Sequence, residues 1–474
     1  MFNPKPKGDP KYRIPRQCIW LKMNGSWPFD YETERDFYNA HTLYGILYSL
    51  WSWYIICSVG LTIGFQTAFL VNNLSDIMMT TENCCTTFMG ALNFIRLLHM
   101  RLNQRSFREI IQQFVDDIWI IKKDNPHVAA ECSRNMRTFR IMTVLLSCLI
   151  AMYCVLPLVI LFFDVGLDAE EKPFPYKMLF PYNAHRGWRY VATYIFTSFA
   201  GICVVTTLFA EDSIFGFFIT YTCGKFKILH ERIDNLVIDA YFMARNRQDD
   251  QEIQRLYIRL CIKLNKKLFI QFSLIYIFSR FANRLENFFN PILLVNFTIS
   301  SILICMVGFQ LVTGKDMFIG DYVKFLVYIS SSLSQLYVLC WNGDSLIQHS
   351  TETAQHLYNC NWEGENVYLT SAITQYQMAK ENLKNSNNTL SKSLKQQNLR
   401  NDLHNIHFIP ANKQFRQNLE IMIMCSQRPV KITALKFSTL SLQSFTAILS
   451  TSMSYFTLLQ TVYNENKEEL EHMT

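Results

Sequence analysis

Seven stretches of about 20 mainly apolar residues recur along the chain, each long enough to cross roughly 30 Å of hydrocarbon as a helix. They lie at 43–70, 74–98, 141–164, 190–221, 288–313, 322–343 and 437–463. Lipid offers the backbone no hydrogen-bond partners, so segments of this kind become helices or closed barrels, and their length selects helices. The expected fold is all-α: a polytopic membrane protein with seven transmembrane helices. Charged residues make up only 18% of the chain, against about 25% in soluble proteins. The mean hydropathy is only slightly positive, so substantial polar helix must also project into water.

Basic residues fix an expected orientation through their excess on cytoplasmic loops. Arg96, Arg101, Arg105, Arg108, Lys122 and Lys123 follow the second span. Lys225, Lys227, Arg232, Arg245 and Arg247 follow the fourth, and Lys380, Lys384, Lys392, Lys395 and Arg400 precede the last. The alternate loops are poor in such residues, with none between spans one and two, and the loop after span three carries Asp164, Asp168, Glu170 and Glu171. The amino terminus is expected inside and the carboxyl terminus outside, opposite to a G-protein-coupled receptor. The tail acids Glu465, Glu468, Glu469 and Glu471 agree. Residues 1–40 are polar and basic, so the first span is expected to act as an uncleaved anchor.

Six further segments complete the layout. Residues 1–40 form a cytoplasmic amino-terminal segment, and 41–343 hold spans one to six with cytoplasmic extensions at 107–123 and 252–285. Residues 344–362 are the cytoplasmic end of helix six. Residues 363–412 are rich in Asn, Gln, Ser and Lys and read as a disordered loop. Residues 413–430 form a cytoplasmic anchor helix stopped before Pro429, and 464–474 an extracellular tail. Amphipathic helices on one side of a membrane suggest a helical anchor bundle or subunit contact, with membrane-surface helices as the alternative.

The net charge of +7 is spread along many segments, so no nucleic-acid surface is indicated. The fourteen cysteines lie mostly in apolar runs, with no CxxC pair or metal-ligand spacing, and no cofactor or metal is expected. Nucleotide-binding, hydrolase and metalloprotease motifs are missing from the sequence, so an enzyme is not expected.

The carboxyl-terminal third carries a recognisable pattern. Trp341-Asn342-Gly343 is followed by His356-Leu357-Tyr358-Asn359-Cys360-Asn361-Trp362. Leu419-Glu420-Ile421 then leads to Gln427-Arg428-Pro429 and a final helix through Ser454-Tyr455-Phe456-Thr457-Leu458-Leu459. This order resembles the insect odorant receptor family. Elsewhere the likeness is one of layout, including an acidic position in span four (Asp212), and the loop before the last span is longer than usual. Gustatory receptors are relatives, but their Thr-Tyr signature with Gln-Phe is not met from Ser454-Tyr455 onward.

The resemblance implies an odorant-gated, poorly selective cation channel in the plasma membrane of a sensory neuron. It implies a heterotetramer with a co-receptor subunit, or alternatively a homotetramer. The last helix would line the pore. At 100° per residue, Thr446, Ser450, Ser454, Thr457 and Thr461 fall within an arc of about 80°, with Leu458 and Val462 as apolar closures and Gln460 beside them. On the residues alone, such hydroxyls serve a water-filled path or helix packing equally well. The resemblance also implies a site for a small volatile in the outer halves of spans two, three, four and six. Those positions hold Met78, Thr81 and Cys85; Met152, Tyr153 and Leu156; Tyr194, Phe196 and Phe199; and Phe325, Tyr328 and Ser332.

Glu211, Asp212 and Lys324 are charged residues within spans, where partners or water are needed. The two acids suit either an inner cation path or the cytoplasmic end of span four, solvated or paired with a base. Pro157 is expected to kink span three, and Asn73 in Asn-Leu-Ser is a glycosylation candidate. Rival readings are a gustatory-type channel, a seven-span receptor coupled to a cytoplasmic transducer, and a transporter.

Overall fold

The computed structural model describes residues 18–30, 35–36, 42–74, 76–120, 124–163, 172–236, 253–313, 319–360 and 413–473. The acidic loop 164–171, the polar segment 363–412, Lys122 and Lys123, and most of residues 1–40 lie outside them.

The elements are α1 (Cys18–Met23), α2 (Leu43–Asn72), α3 (Ile77–Leu102), α4 (Gln104–Gln113), α5 (Pro126–Asn135) and α6 (Arg137–Phe163). There follow α7 (Gly187–Asp234), α8 (Ile253–Thr313), α9 (Ile319–Tyr358), α10 (Lys413–Ser426) and α11 (Leu442–Met473). Two short antiparallel pairs, Phe29–Asp30 with Arg35–Asp36 and Thr433–Ala434 with Ser438–Thr439, are the strands among the described residues. The protein is all-helical in its architecture.

Local chemistry sets several helix starts. The Thr42 hydroxyl accepts the Gly45 N–H at 3.1 Å, and Asp76 Oδ1 accepts those of Met78 and Met79. Pro126 opens α5, where its missing N–H costs nothing. Pro157 lies inside α6, which continues through it.

Among the described residues, five helical stretches are long and apolar enough to cross a membrane. They are Leu43–Asn72, Pro126–Phe162, Gly187–Asp234, Cys261–Thr313 and Ile319–Tyr358. The second and last expected spans are α3 and α11, both long helices. They carry Thr81, Glu82, Asn83, Thr87, Asn93 and Arg96, or a run of hydroxyls, and do not reach the same apolar level.

The chain divides into two compact units. Unit one comprises Met1–Tyr221, Phe281–Ser345 and Lys431–Thr474. Within it α2 and α3 pack antiparallel, with Gly60 against Phe94, Gly90 against Ile63, and Asn83 donating to the Gln66 carbonyl at 3.0 Å. The segment after α1 is anchored here, because Asn24 donates to both Thr206 and Thr207.

The expected extension over 107–123 is shorter than its amphipathic pattern. After α4 the chain makes one wide turn, Phe114–Ile118, closed by Trp119 N–H donating to the Phe114 carbonyl. That extra residue per turn buries both Phe114 and Ile118. The last helix also begins later than residue 437. Leu435 and Lys436 have φ of 47° and 60°, and this left-handed pair closes the hairpin of Thr433–Thr439 before Leu440 turns in. Gly343 accommodates Leu440, whose backbone oxygen would overlap any Cβ there.

Unit two comprises Thr222–Arg280 and Leu346–Val430. In α10 the residues Phe415, Leu419, Met422 and Ser426 are buried, a helical stripe matching the amphipathic pattern. Phe226 meets Phe278 edge-on at 5.4 Å, and Val430 N–H donates to Ser350 Oγ at 3.0 Å.

Candidate functional site

Two adjoining cavities open in unit one. The inner one, about 50 Å³, lies among Thr62 and Gln66 of α2, Thr86 and Met89 of α3, Tyr153 of α6, Thr197 and Gly201 of α7, and Tyr328 of α9. The outer one, about 220 Å³, is bounded by Met152, Leu156 and Pro157 of α6, by Glu82, Asp321 and Lys324, and by Phe174 and Lys177 of the loop before α7. Thr86, Tyr153 and Tyr176 belong to both walls.

The two cavities differ in chemistry. The inner wall is apolar with uncharged polar side chains, the balance expected for a small neutral ligand. Tyr328 donates to the Cys85 carbonyl at 3.0 Å, which satisfies its buried phenol. The outer cavity has a charged rim. Lys177 binds Glu82 at 2.7 Å, and Lys324 binds Asp321 at 2.7 Å and Glu82 at 3.6 Å. Lys324 also stands over the rings of Tyr153 and Phe325, at 5.3 and 5.0 Å.

The last helix has two distinct sides. Ser452, buried, donates to Ser301, and Tyr463 meets Phe309 at 5.5 Å. The opposite side is exposed and carries Thr446, Ser450, Ser454, Thr457 and Thr461. Beside them Leu458 is 63% and Val462 41% exposed. Ser454, Thr457 and Thr461 donate to carbonyls of their own helix. Their oxygens keep lone pairs for water or cations.

A third polar group lies deeper in unit one. Arg96 of α3 binds Asp212 of α7 at 2.8 Å and Asn296 of α8 at 2.9 Å, while Gln335 of α9 donates to Asp212 at 2.7 Å. Glu211 stands 4.0 Å from Arg96. Arg96, which sequence order groups with the basic loop after span two, is 1% exposed. It is therefore a bundle residue and no marker of orientation. The acids of α7 are paired with a base rather than solvated.

Comparison with known proteins decides the family. The profile described as 7tm Odorant receptor matches residues 76–376 and 393–453. This chain belongs to the odorant receptor family. It is 55% identical to odorant receptor 13a of Drosophila melanogaster over 97% of each chain, and 22% identical to odorant receptor 47a of the same fly over 85% of this chain and 90% of that one. Among solved structures, the insect olfactory receptor OR5 from Machilis hrabei in complex with eugenol has the same fold. Its TM-score is 0.65 at 13% identity, covering 94% of this chain and 97% of that one.

In this odorant receptor, the positions expected around a ligand separate into groups. Met152, Tyr153, Leu156 and Tyr328 line the cavities, and Cys85 touches them through Tyr328. Met78, Thr81, Tyr194, Phe196, Phe199, Phe325 and Ser332 are not among the lining residues. Thr81 and the Met78 carbonyl accept from Gln310, Tyr194 donates to the Cys154 carbonyl, and Phe199 packs on Trp51 and Tyr54. Asn73 donates to the Phe69 carbonyl at 2.8 Å, and its sequon partner Ser75 lies outside the described residues.

Sequence reasoning missed Gln66, Thr62 and the loop residue Tyr176. Gln66 carried a signal, as an amide in an otherwise apolar span.

Proposed function

We propose that this receptor is a tuning subunit of an odorant-gated, poorly selective cation channel, opened by a small apolar volatile held between the outer helix halves. The observation that carries the reading is the two-sided last helix. One side is packed into its own unit, and the other presents aligned hydroxyls that are exposed among the described residues. Copies gathered around an axis would enclose those hydroxyls as a wet conduit, with Leu458 and Val462 closing it by dewetting. Ser450, Ser454, Thr457 and Thr461 would pass the ion.

In this reading α2, α3, α6, α7, α8, α9 and α11 are the seven spans, with the amino terminus inside and the carboxyl terminus outside. The assembly is a heterotetramer with a co-receptor, a homotetramer being the alternative, in the plasma membrane of a sensory neuron. Asn73 is then on the outer side and available for glycosylation. Met152, Tyr153, Leu156 and Tyr328 hold the odorant, and Met78, Thr81, Cys85, Tyr194, Phe196, Phe199, Phe325 and Ser332 support them. Opening requires the odorant to bind the open state better than the closed one.

Whole-cell recording with an odorant panel, with and without the co-receptor, tests this directly. Odorant-evoked cation current is expected. A response that survives only through a cytoplasmic transducer would favour the receptor-coupled rival, as would antibody staining that finds the carboxyl terminus only in permeabilised cells.

A further inference from the structure

The inner cavity is too small for the ligand it is meant to hold. Its volume is about 50 Å³, whereas a cavity that accepts benzene measures about 150 Å³. Something must leave before an odorant enters, and one side chain is placed to do so. Tyr176 comes from the loop before α7, not from any helix, and its ring stacks on Tyr153 at 5.3 Å with 23° between planes. Its hydroxyl end lies against Gly201 of α7, where an added Cβ would overlap the phenol oxygen and stand 2.9 Å from Cζ. Glycine at 201 therefore makes room for the inserted ring.

The backbone around Tyr176 is pinned. Leu179 N–H donates to the Phe65 carbonyl at 3.1 Å, Lys177 binds Glu82, and Tyr190 donates to the Pro173 carbonyl at 2.7 Å. The outer cavity, about 220 Å³, nevertheless adjoins the ring and is large enough to receive it. Its rim of Glu82, Lys177, Asp321 and Lys324 offers partners to the polar tip of a phenol. Rotation of one side chain, with the loop held, would carry the ring from one cavity to the other.

We infer that Tyr176 is an intramolecular occupant of the odorant site, displaced by a small neutral ligand of about its own ring size, and that Gly201 sets how firmly it is held. The inference rests on the odorant-site reading above. Its arithmetic is that of a competing state. The apparent affinity is the intrinsic affinity scaled by the fraction of receptors whose site is vacant. Weakening the inserted state should therefore tighten binding, whereas removing an ordinary wall contact weakens it.

The test uses the purified full-length receptor with benzyl alcohol as probe, and reads the half-saturating concentration for thermal stabilisation. Tyr176→Ala is the deciding variant, because it empties the inserted position, and it is expected to lower the half-saturating concentration at least about threefold. Tyr176→Phe, which keeps the ring, should leave it near wild type. Gly201→Ala crowds the phenol oxygen but also adds a methyl to the inner wall that Gly201 lines, so it should lower the value less. An unchanged or raised value in Tyr176→Ala overturns the inference. Should that variant not fold, Tyr176→Leu decides with the same sign rule. The readout needs no current, so a receptor that binds the probe as predicted but never conducts would sink the channel reading alone.

Discussion

Arg96 and Asp212 sit deep in unit one with 1% and 4% exposure, whereas Ser450, Ser454, Thr457 and Thr461 of α11 face outward from the same unit. The charged set is paired across four helices, Arg96 with Asp212 and each of them with a neighbouring amide, Asn296 or Gln335. Among the described residues, Ser454, Thr457 and Thr461 donate within their own helix. A buried charge must find partners or it is very costly, so the rarest residues in an apolar bundle are spoken for structurally. Weakly polar hydroxyls cost little to leave exposed and remain available for ions. In this receptor, then, the conspicuous charges hold the bundle together and the inconspicuous hydroxyls are free to line a path.

The largest expected effect comes from breaking the charged set. Arg96→Met leaves Asp212 buried without its cation and is expected to cost about 3–5 kcal/mol. In a detergent-solubilised thermal melt, most of the folded receptor should be lost. Combining it with Asp212→Leu should recover a large part, since a buried pair replaced by apolar groups is close to neutral. A single Arg96→Met receptor that melts like wild type and conducts abnormally would reverse the comparison, making this network the functional element.

The next effect concerns the exposed side of α11. Thr461→Lys sets a cation among the hydroxyls and should reduce cation current by about tenfold or more, while stability changes by less than about 0.5 kcal/mol because the site is exposed. Leu458→Ala should raise the basal current by removing the apolar constriction. Normal gating and conduction in both variants would remove the basis for placing the pore on this face.

How far these features could be read in the sequence depends on whether their cause is local. The five apolar helices follow from runs of about 20 apolar residues, and the buried stripe of α10 follows from its own period. The two sides of α11 are legible for the same reason. At 100° per residue the hydroxyls separate from Ser452, Phe456 and Tyr463, which form the packed side. Arg96 was not legible, because its place depends on Asp212, 116 positions away. Tyr176 has no periodic neighbour at all; Leu179 and Lys177, reaching Phe65 and Glu82, bring it into the bundle. Tyr153 and Tyr328 follow only from the family resemblance, which implies a site in the outer halves of their spans.

A second buried polar group, in unit two, shows what happens without a charge partner of fixed sign. His230 is buried, accepts or donates through Nε2 to Thr353 at 2.9 Å, and stacks on His356 at 4.3 Å. His349 and Glu352 lie nearby, and His356 pairs with Asp234. Burial, then the neighbouring His356 and His349, push its pKa down to about 4. The folded protein therefore binds fewer protons here than the unfolded chain. Stability from this group is complete above about pH 6.5 and is lost as pH falls toward 4. Melting temperature should fall across that window, and His230→Gln should flatten the dependence. An unchanged slope in the variant would assign the acid sensitivity to other groups.

The smallest effect sharpens the two sides of α11 within a few residues. Ser450, Ser452 and Ser454 carry the same hydroxyl at alternate positions, so chemistry is held constant while direction changes. Ser452 is 1% exposed and donates to Ser301 at 3.1 Å. Its replacement by Ala removes one buried hydrogen bond and should cost about 1 kcal/mol, with conduction unaltered. Ser450→Ala and Ser454→Ala remove only outward groups, so melting should stay at the wild-type value while single-channel conductance shifts. If instead Ser452→Ala alters conductance and the other two alter stability, the packed and open sides of this helix have been assigned the wrong way round.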